Sequence, residues 1–201
     1  MATTINASTS GGLVQSADTS GVLQLQSAGT TQFTVDSTGV YGTLESATAV
    51  TASGTSVDFL DIPSWVKRIT VMFGGVSTNG TSVPLIQLGD AGGIENTGYV
   101  SVDVQAGGTN QAGGSVNTSG HVCIYNQVAA NAYFGQCIFS LLDSATNTWV
   151  GSSSFATSGL AFGLYGTSGK SLSATLDRIR ITTVNGTDTF DAGTINIMCE
   201  G

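Results

Sequence analysis

The only histidine of the chain stands in a short motif with two other reactive side chains. His121, Cys123 and Tyr125 alternate along the sequence, so on a strand they would share one face. Such a face could bring two ligands to a metal ion, or a thiol to a base. A zinc site needs three or four ligands, and Cys137 or Cys199 would have to supply the rest. The motif therefore favours thiols packed in a core beside a partly buried ring, and we predict no metal site.

A second segment comes close to the pattern of a phosphate-binding loop. Residues 164–171 read LYGTSGKS, and Leu164 occupies the position that the first glycine of such a loop requires. The loop would also have to lead into a helix, whereas residues 172–184 read as a long strand. We therefore predict a hairpin turn here and no nucleotide or other cofactor.

The acidic residues offer two further kinds of chemistry. Asp90 and Glu95 lie in a glycine-rich loop that could hold Ca²⁺, but the loop lacks further oxygen ligands at short spacing, so we interpret it as a solvated loop. Thirteen acids leave a glycosidase pair open, and no pattern marks a particular pair. One histidine and no Gly-x-Ser-x-Gly elbow give no support to a serine hydrolase. The sequence predicts that the chain is not an enzyme.

Two tryptophans could contact a ligand or fill the core. Trp65 follows Pro63 and is interpreted as a cap on one end of the core, because a large aromatic ring gains most from burial. Trp149 lies nearer a turn and is the better candidate for an exposed side chain that stacks on host glycan.

Composition excludes several classes of partner. Charged residues make up 9% of the 201 residues, and the formal net charge is −8. A nucleic-acid-binding surface needs a basic patch, so no nucleic-acid partner is predicted. No apolar run approaches the roughly 20 residues that span a bilayer, and residues 1–12 lack the features of a signal peptide, so we expect no membrane insertion and folding in a cytoplasm. An odd count of three cysteines then indicates free thiols.

The glycine, serine and threonine content indicates β structure with many turns. In residues 1–48, short Ser/Thr-Gly marks recur every eight to ten residues, and the runs between them alternate. Leu23 and Leu25 share one face of such a run, and Phe33 and Val35 share one face of the next. A small sheet with one apolar face is marginal by itself. We predict that these four residues form an oligomerisation or attachment surface.

Residues 49–201 carry longer strand patterns. About eight strands are predicted, separated by Gly-rich breaks and by loops that include residues 77–82, 107–120 and 152–158. The run from Val66 to Phe73 places Ile69, Val71 and Phe73 on one side, and residues 129–133 could form one helical turn. The pattern predicts an all-β protein, an antiparallel β-sandwich of jelly-roll type over residues 49–201, preceded by a short-stranded β segment over residues 1–48.

Four segments carry a resemblance to a known class of protein. They are residues 4–14 (TINASTSGGLV), 23–31 (LQLQSAGTT), 57–73 (VDFLDIPSWVKRITVMF) and 191–198 (DAGTINIM). These segments resemble fibre-type virion proteins of tailed phages and prophages, which are called tail fibre or head fibre proteins and often trimerise. The resemblance covers most of the chain, and its motifs are structural, so it implies a class of virion protein and no particular site.

Together these observations predict a structural bacteriophage protein exposed on the virion, assembled in the host cytoplasm. The resemblance implies a short tail fibre subunit, and the alternative is a head fibre or capsid decoration protein with no ligand. The expected partners are further copies of the chain in a homotrimer, another virion protein such as a tail adaptor or the capsid, and host surface glycan.

Overall fold

A computed structural model describes residues 22–27, 30–36, 39–41, 44–107, 110–114, 116–125, 128–129 and 131–201. Within these residues the chain forms seventeen strands, all paired antiparallel, and no helix. Because the described part contains no helix, it offers none that could cross a membrane. The predicted helical turn at 129–133 is wrong where it is described, since a strand begins at Tyr133.

The strands are short near the N-terminus and long in the remainder. In chain order they are β1 (Leu23–Ser27), β2 (Thr30–Asp36), β3 (Gly39–Tyr41), β4 (Leu44–Ser46), β5 (Val50–Thr51), β6 (Val57–Phe59), β7 (Arg68–Thr78), β8 (Pro84–Asp90), β9 (Gly93–Ile94), β10 (Val100–Gly107), β11 (Asn110–Gly113), β12 (His121–Val122), β13 (Tyr133–Asp143), β14 (Thr148–Thr157), β15 (Leu160–Ser171), β16 (Leu176–Thr183) and β17 (Phe190–Glu200).

The chain divides into two compact units between Thr43 and Leu44. In the first unit, β1, β2 and β3 form a three-stranded sheet in that order. The sequence placed the boundary after residue 48; residues 44–46 belong to the second unit because β4 pairs with β17 there. The repeats predicted before Val22 lie outside the described residues.

The second unit contains two sheets. The large sheet has nine strands, in the order β11-β10-β15-β14-β13-β7-β17-β4, and β5 also pairs with β17. The small sheet has five, in the order β12-β8-β16-β6, and β9 pairs with β8. The prediction of an antiparallel β-sandwich is confirmed, with sheets of unequal width.

The core lies between these sheets, and one continuous cluster of buried side chains contains residues of both. Each fully buried aliphatic or aromatic side chain contributes roughly 1.5–3 kcal/mol of hydrophobic stabilisation. The large sheet contributes Ile69, Val71, Phe73, Cys137, Phe139, Ile195 and Ile197. The small sheet contributes Val57, Phe59, Ile86, Leu88, Ile179 and Ile181. The prediction that Ile69, Val71 and Phe73 share one side of β7 is therefore confirmed, and this side faces the core.

Two predictions for the later part of the chain are wrong. Residues 152–158 are mostly strand, because β14 runs to Thr157 between β13 and β15, and pairs with both. Residues 164–171 form no hairpin turn but lie inside β15, which pairs with β14 on one side and β10 on the other. In both segments the neighbouring strands supply the hydrogen bonds that stabilise a glycine- and serine-rich strand.

Candidate functional site

The N-terminal sheet brings the four predicted attachment residues into register. Leu23 lies opposite Val35 and Leu25 lies opposite Phe33 across β1 and β2, so these positions share one side of the pair. Leu23 and Leu25 are 41% and 46% exposed, and Phe33 is half-buried. The register thus places the four positions on one side of the strand pair, with the two leucines open to solvent, and their role in attachment stays a prediction.

The second unit has a larger apolar surface that the sequence did not reveal. On β10, Val100, Val102 and Val104 are 67%, 41% and 38% exposed, while Ser101 and Asp103 between them are buried. A strand with one solvated side normally presents its polar residues to water and its apolar residues to the core. In β10 that arrangement is reversed.

The register extends this surface over three further strands. Val102 lies opposite Thr167 of β15, Thr167 opposite Ser152 of β14, and Ser152 opposite Ile138 of β13. We call the solvent-facing residues in the middle of these four strands the outer face; exposed residues at the strand ends, such as Leu142 and Asp143, lie at its margin. It consists of Val100, Val102, Val104, Phe134, Gln136, Ile138, Ser140, Val150, Ser152, Ser154, Ala156, Tyr165 and Thr167. None of these residues is charged.

A buried polar layer lies beneath the outer face, where β12 covers β10 and β15. His121 is fully buried, and its Nδ1 lies 2.8 Å from Ser168 Oγ. The Val122 amide donates to Ser101 Oγ at 3.0 Å. Close packing of β12 requires Gly166, because a Cβ there would lie 2.6 Å from the carbonyl oxygen of Val122. The polar side chains of this layer need hydrogen-bond partners, which apolar side chains in the same positions would not. The contacts of His121 and Val122 supply part of them.

Burial controls the ionisation of the groups in this layer. It lowers the pKa of His121 to about 4, so the imidazole is neutral at pH 7. It raises the pKa of the Asp103 carboxyl. Among the described residues, His121 Nε2, Gln105 Oε1 and Ser153 Oγ are buried without a hydrogen-bond partner. The layer is therefore held by packing and by only a few polar contacts.

The motif at 121–125 forms no catalytic or metal-binding face. Strand β12 ends at Val122, Cys123 is fully buried in the core, and Tyr125 is half-buried. Within the described residues no three of the His, Cys, Asp and Glu side chains could hold a metal ion together. The packing of Cys123, Cys137 and Cys199 in the core is confirmed. Burial raises the pKa of all three thiols, that of Cys199 to about 11, which disfavours the reactive thiolate.

The loop of Asp90 and Glu95 is exposed at Ala91 and Gly92, as its interpretation as a solvated loop requires, but its two carboxylates make internal contacts that this interpretation did not include. Lys170 forms an ion pair with Glu95, while the hydroxyl of Ser173 donates to the Asp90 carboxylate. The hydrogen bond from Ser173 lowers the pKa of Asp90. Burial tends to raise the pKa of Glu95, but bonds from Lys170 and Ser173 outweigh it and the pKa falls. The two carboxylates thereby tie the β8–β9 turn to the segment after β15.

Trp149 is buried, which contradicts its prediction as an exposed glycan contact. Only 2% of the residue is exposed, since its side chain belongs to the core cluster. It lies at an inward position of β14, where strand alternation with Phe155 decides its direction. Trp65 is half-buried and packs against the same core, so its interpretation as a core cap is confirmed.

A polar groove lies on the small-sheet side of the sandwich. Its volume is about 310 Å³, and its lining includes Gln87, Asn96, Arg180 and Thr182. Arg180 is engaged with Asp58 through two hydrogen bonds of 2.7 and 2.8 Å, and Thr182 donates to the carbonyl oxygen of Thr55. The groove therefore offers amides and hydroxyls rather than a free charge.

No family model, curated protein or solved structure matches the chain significantly. Three surfaces of the molecule remain as candidate functional sites: the apolar face of β1 and β2, the outer face, and the polar groove.

Proposed function

We propose that the chain is a non-enzymatic structural subunit of a bacteriophage particle, a short tail fibre protein displayed on the virion. The observation that carries this proposal is the exposure of apolar side chains in regular strands at two places, while the reactive side chains are buried or paired. Ordered apolar surface of this kind is typical of protein contacts. The virion itself is inferred from the sequence resemblance.

The N-terminal sheet is the proposed attachment and trimerisation element. Its exposed leucines, Leu23 and Leu25, are paired with Val35 and Phe33, so a partner could cover all four from one side. Three strands cannot supply that cover from their own residues. Further copies of the chain, or a tail adaptor or capsid protein, would gain hydrophobic burial on this face.

Weak binding of host glycan is a second candidate function, and the polar groove favours it. Amide and hydroxyl groups such as those of Gln87, Asn96 and Thr182 match the hydrogen-bonding groups of sugars. Affinity at one such groove would be low, and several copies on one particle would raise the avidity. Loss of glycan-array binding on replacing Asn96 with alanine, with unchanged thermal stability, would support this role; equal binding by the variant would contradict it.

Imaging of virions that carry a label on the C-terminus tests the main proposal. A label at the tail is expected for a short tail fibre. A label distributed over the head would replace it with the alternative, a head fibre or capsid decoration protein. Purified virions without any label would contradict both locations and with them the structural role.

Attachment through the N-terminal sheet has a separate test. The variant Leu25→Glu places a charge among the paired apolar residues and is expected to reduce both the solution mass and incorporation into virions. Gln24 lies on the opposite side of β1, so Gln24→Glu is the matched control and should leave both unchanged. Equal behaviour of the two variants would overturn the assigned face.

A further inference from the structure

The reversed alternation of β10 points to a second contact surface, distinct from the N-terminal sheet. An exposed row of three valines above a buried row of Ser101, Asp103 and Gln105 is costly for an isolated chain in water. We propose that the outer face packs against the outer face of a second copy of this chain.

Charge favours a second copy over a partner of opposite charge. The chain carries a formal net charge of −8, so a contact between two copies is favourable only where it brings no carboxylates against each other. The outer face meets this condition, since its strands direct Asp103 and Lys170 inward and Asp143 lies at the end of β13. An acidic or basic partner would find no complementary charge there.

The sizes of the side chains on the outer face also suit a contact between the outer faces of two copies. The valines of β10 form a ridge, whereas Ser152, Ser154 and Ala156 on β14 form a trough of small side chains two strands away. One copy can place its ridge in the trough of the other. Sheets that pack face to face lie about 10 Å apart with their side chains interdigitated, and a ridge placed in a trough is such an arrangement.

A single charged substitution on the ridge tests this contact in the full-length protein. Wild-type protein is expected to give a multiple of the 20.3 kDa chain mass by light scattering over a range of concentrations. The variant Val102→Glu should weaken self-association by at least about 100-fold, because the carboxylate would lose its hydration in the contact. Val184 is similarly exposed, at 46%, and lies outside the outer face, so Val184→Glu should retain the wild-type mass.

Two results would overturn the inference. One is a wild-type protein that remains monomeric across the micromolar range. The other is a Val102→Glu variant that associates like the wild type. If that variant keeps its mass but loses binding to a glycan or to a purified virion protein, the outer face belongs to that other partner and the inference is wrong.

Cross-linking provides an independent measurement that does not depend on a destabilising charge. In the double variant Val102→Cys/Ser152→Cys the two sites are two strands apart, or about 10 Å, too far for a disulfide within one chain. Mild oxidation should therefore produce covalent oligomers. The pair Val102→Cys/Val184→Cys is the control and should produce few, since the native Cys123, Cys137 and Cys199 are buried. Equal yields from both pairs would contradict the ridge-and-trough contact.

The inference depends on the proposed function only for its place in a particle, and the experiments separate the two. A mass lowered by Leu25→Glu but not by Val102→Glu would overturn the outer-face contact and leave the N-terminal sheet as the oligomerisation element. A mass lowered by Val102→Glu in a protein that never appears on virions would uphold the contact and overturn the proposed function.

Discussion

Strands β7 and β10 belong to the same sheet, and in both strands successive side chains point to opposite faces. The row of apolar residues in β7 points to the core, whereas the row in β10 points to solvent. In β7, Ile69 and Val71 face the core and are fully buried. In β10, Val100 and Val102 face solvent, and Asp103 faces inward. The part of the large sheet around β7 therefore packs as in an ordinary sandwich, whereas the part around β10 has its apolar side facing outward. The difference shows that alternation alone does not determine which side of a strand is buried.

The two ends should also differ in what stabilises them. Around β7 the sheets meet through close-packed aromatic and aliphatic groups, such as Phe73 and Phe155 with ring centroids 5.2 Å apart. Beneath β10 the contact with β12 depends on His121, Ser168 and Ser101. Hydrophobic packing is largely insensitive to pH, whereas a buried imidazole is not. Substitutions at β7 and in the layer beneath β10 test whether the two regions differ in this way.

The largest effect is expected at the β7 end. Replacing Phe73 with alanine removes a ring that is 5% exposed and should lower the free energy of unfolding by about 3–5 kcal/mol, because a cavity remains in the core. Denaturant-induced unfolding measures the change. A loss below about 1 kcal/mol, the size found for surface substitutions, would mean that the β7 end is not the packed half of the sandwich.

An intermediate effect is expected from acidification at the β10 end. The unfolded imidazole binds a proton near pH 6.5, while buried His121 binds one only near pH 4. Protons therefore favour the unfolded chain in this interval, and the free energy of unfolding should fall by about 2 kcal/mol between pH 7 and pH 5. The variant His121→Gln should remove most of that fall.

A carboxyl group in the same layer provides the control for this pH dependence. Burial raises the pKa of Asp103, so its folded form favours the protonated state and its contribution to stability is lost as the pH rises. The variant Asp103→Asn should consequently leave the fall from pH 7 to pH 5 in place or make it steeper. A slope in His121→Gln equal to that of the wild type would show that the buried imidazole does not control it.

The smallest effect is expected on the outer face itself. In dilute protein, Val102→Ser should change the free energy of unfolding by less than about 0.5 kcal/mol, since the side chain is already exposed. At high concentration the variant should become less stable than the wild type, because self-association stabilises the folded chain by mass action. Val184→Ser should equal the wild type at both concentrations. A large loss in dilute protein would mean that Val102 supports the single chain.

Several elements were predictable because local patterns decide them. Alternation identified the strands that carry Leu25 and Phe33, and the residues that share one side of β7. Strand β14 was missed because residues 152–154 are three serines, which resemble a loop in composition. The ladders to β13 and β15 stabilise this strand, and such pairing joins residues that are distant in the sequence or separated by a turn. Trp149 was misplaced for the same reason, since its direction depends on the face of that strand.

The local sequence pattern was sufficient to establish that the chain is all-β and which residues share a side of each predicted strand, because a period of two follows from local backbone geometry. It did not determine which side is covered. In β10 the pattern from Val100 to Gln105 is compatible with valines inward or outward, and a shift of one residue exchanges the two. The tertiary structure settles which side is covered: β12 packs over Ser101 and Asp103, and the valines remain exposed to water. Covering a face depends on contacts between distant segments, so no local pattern encodes it.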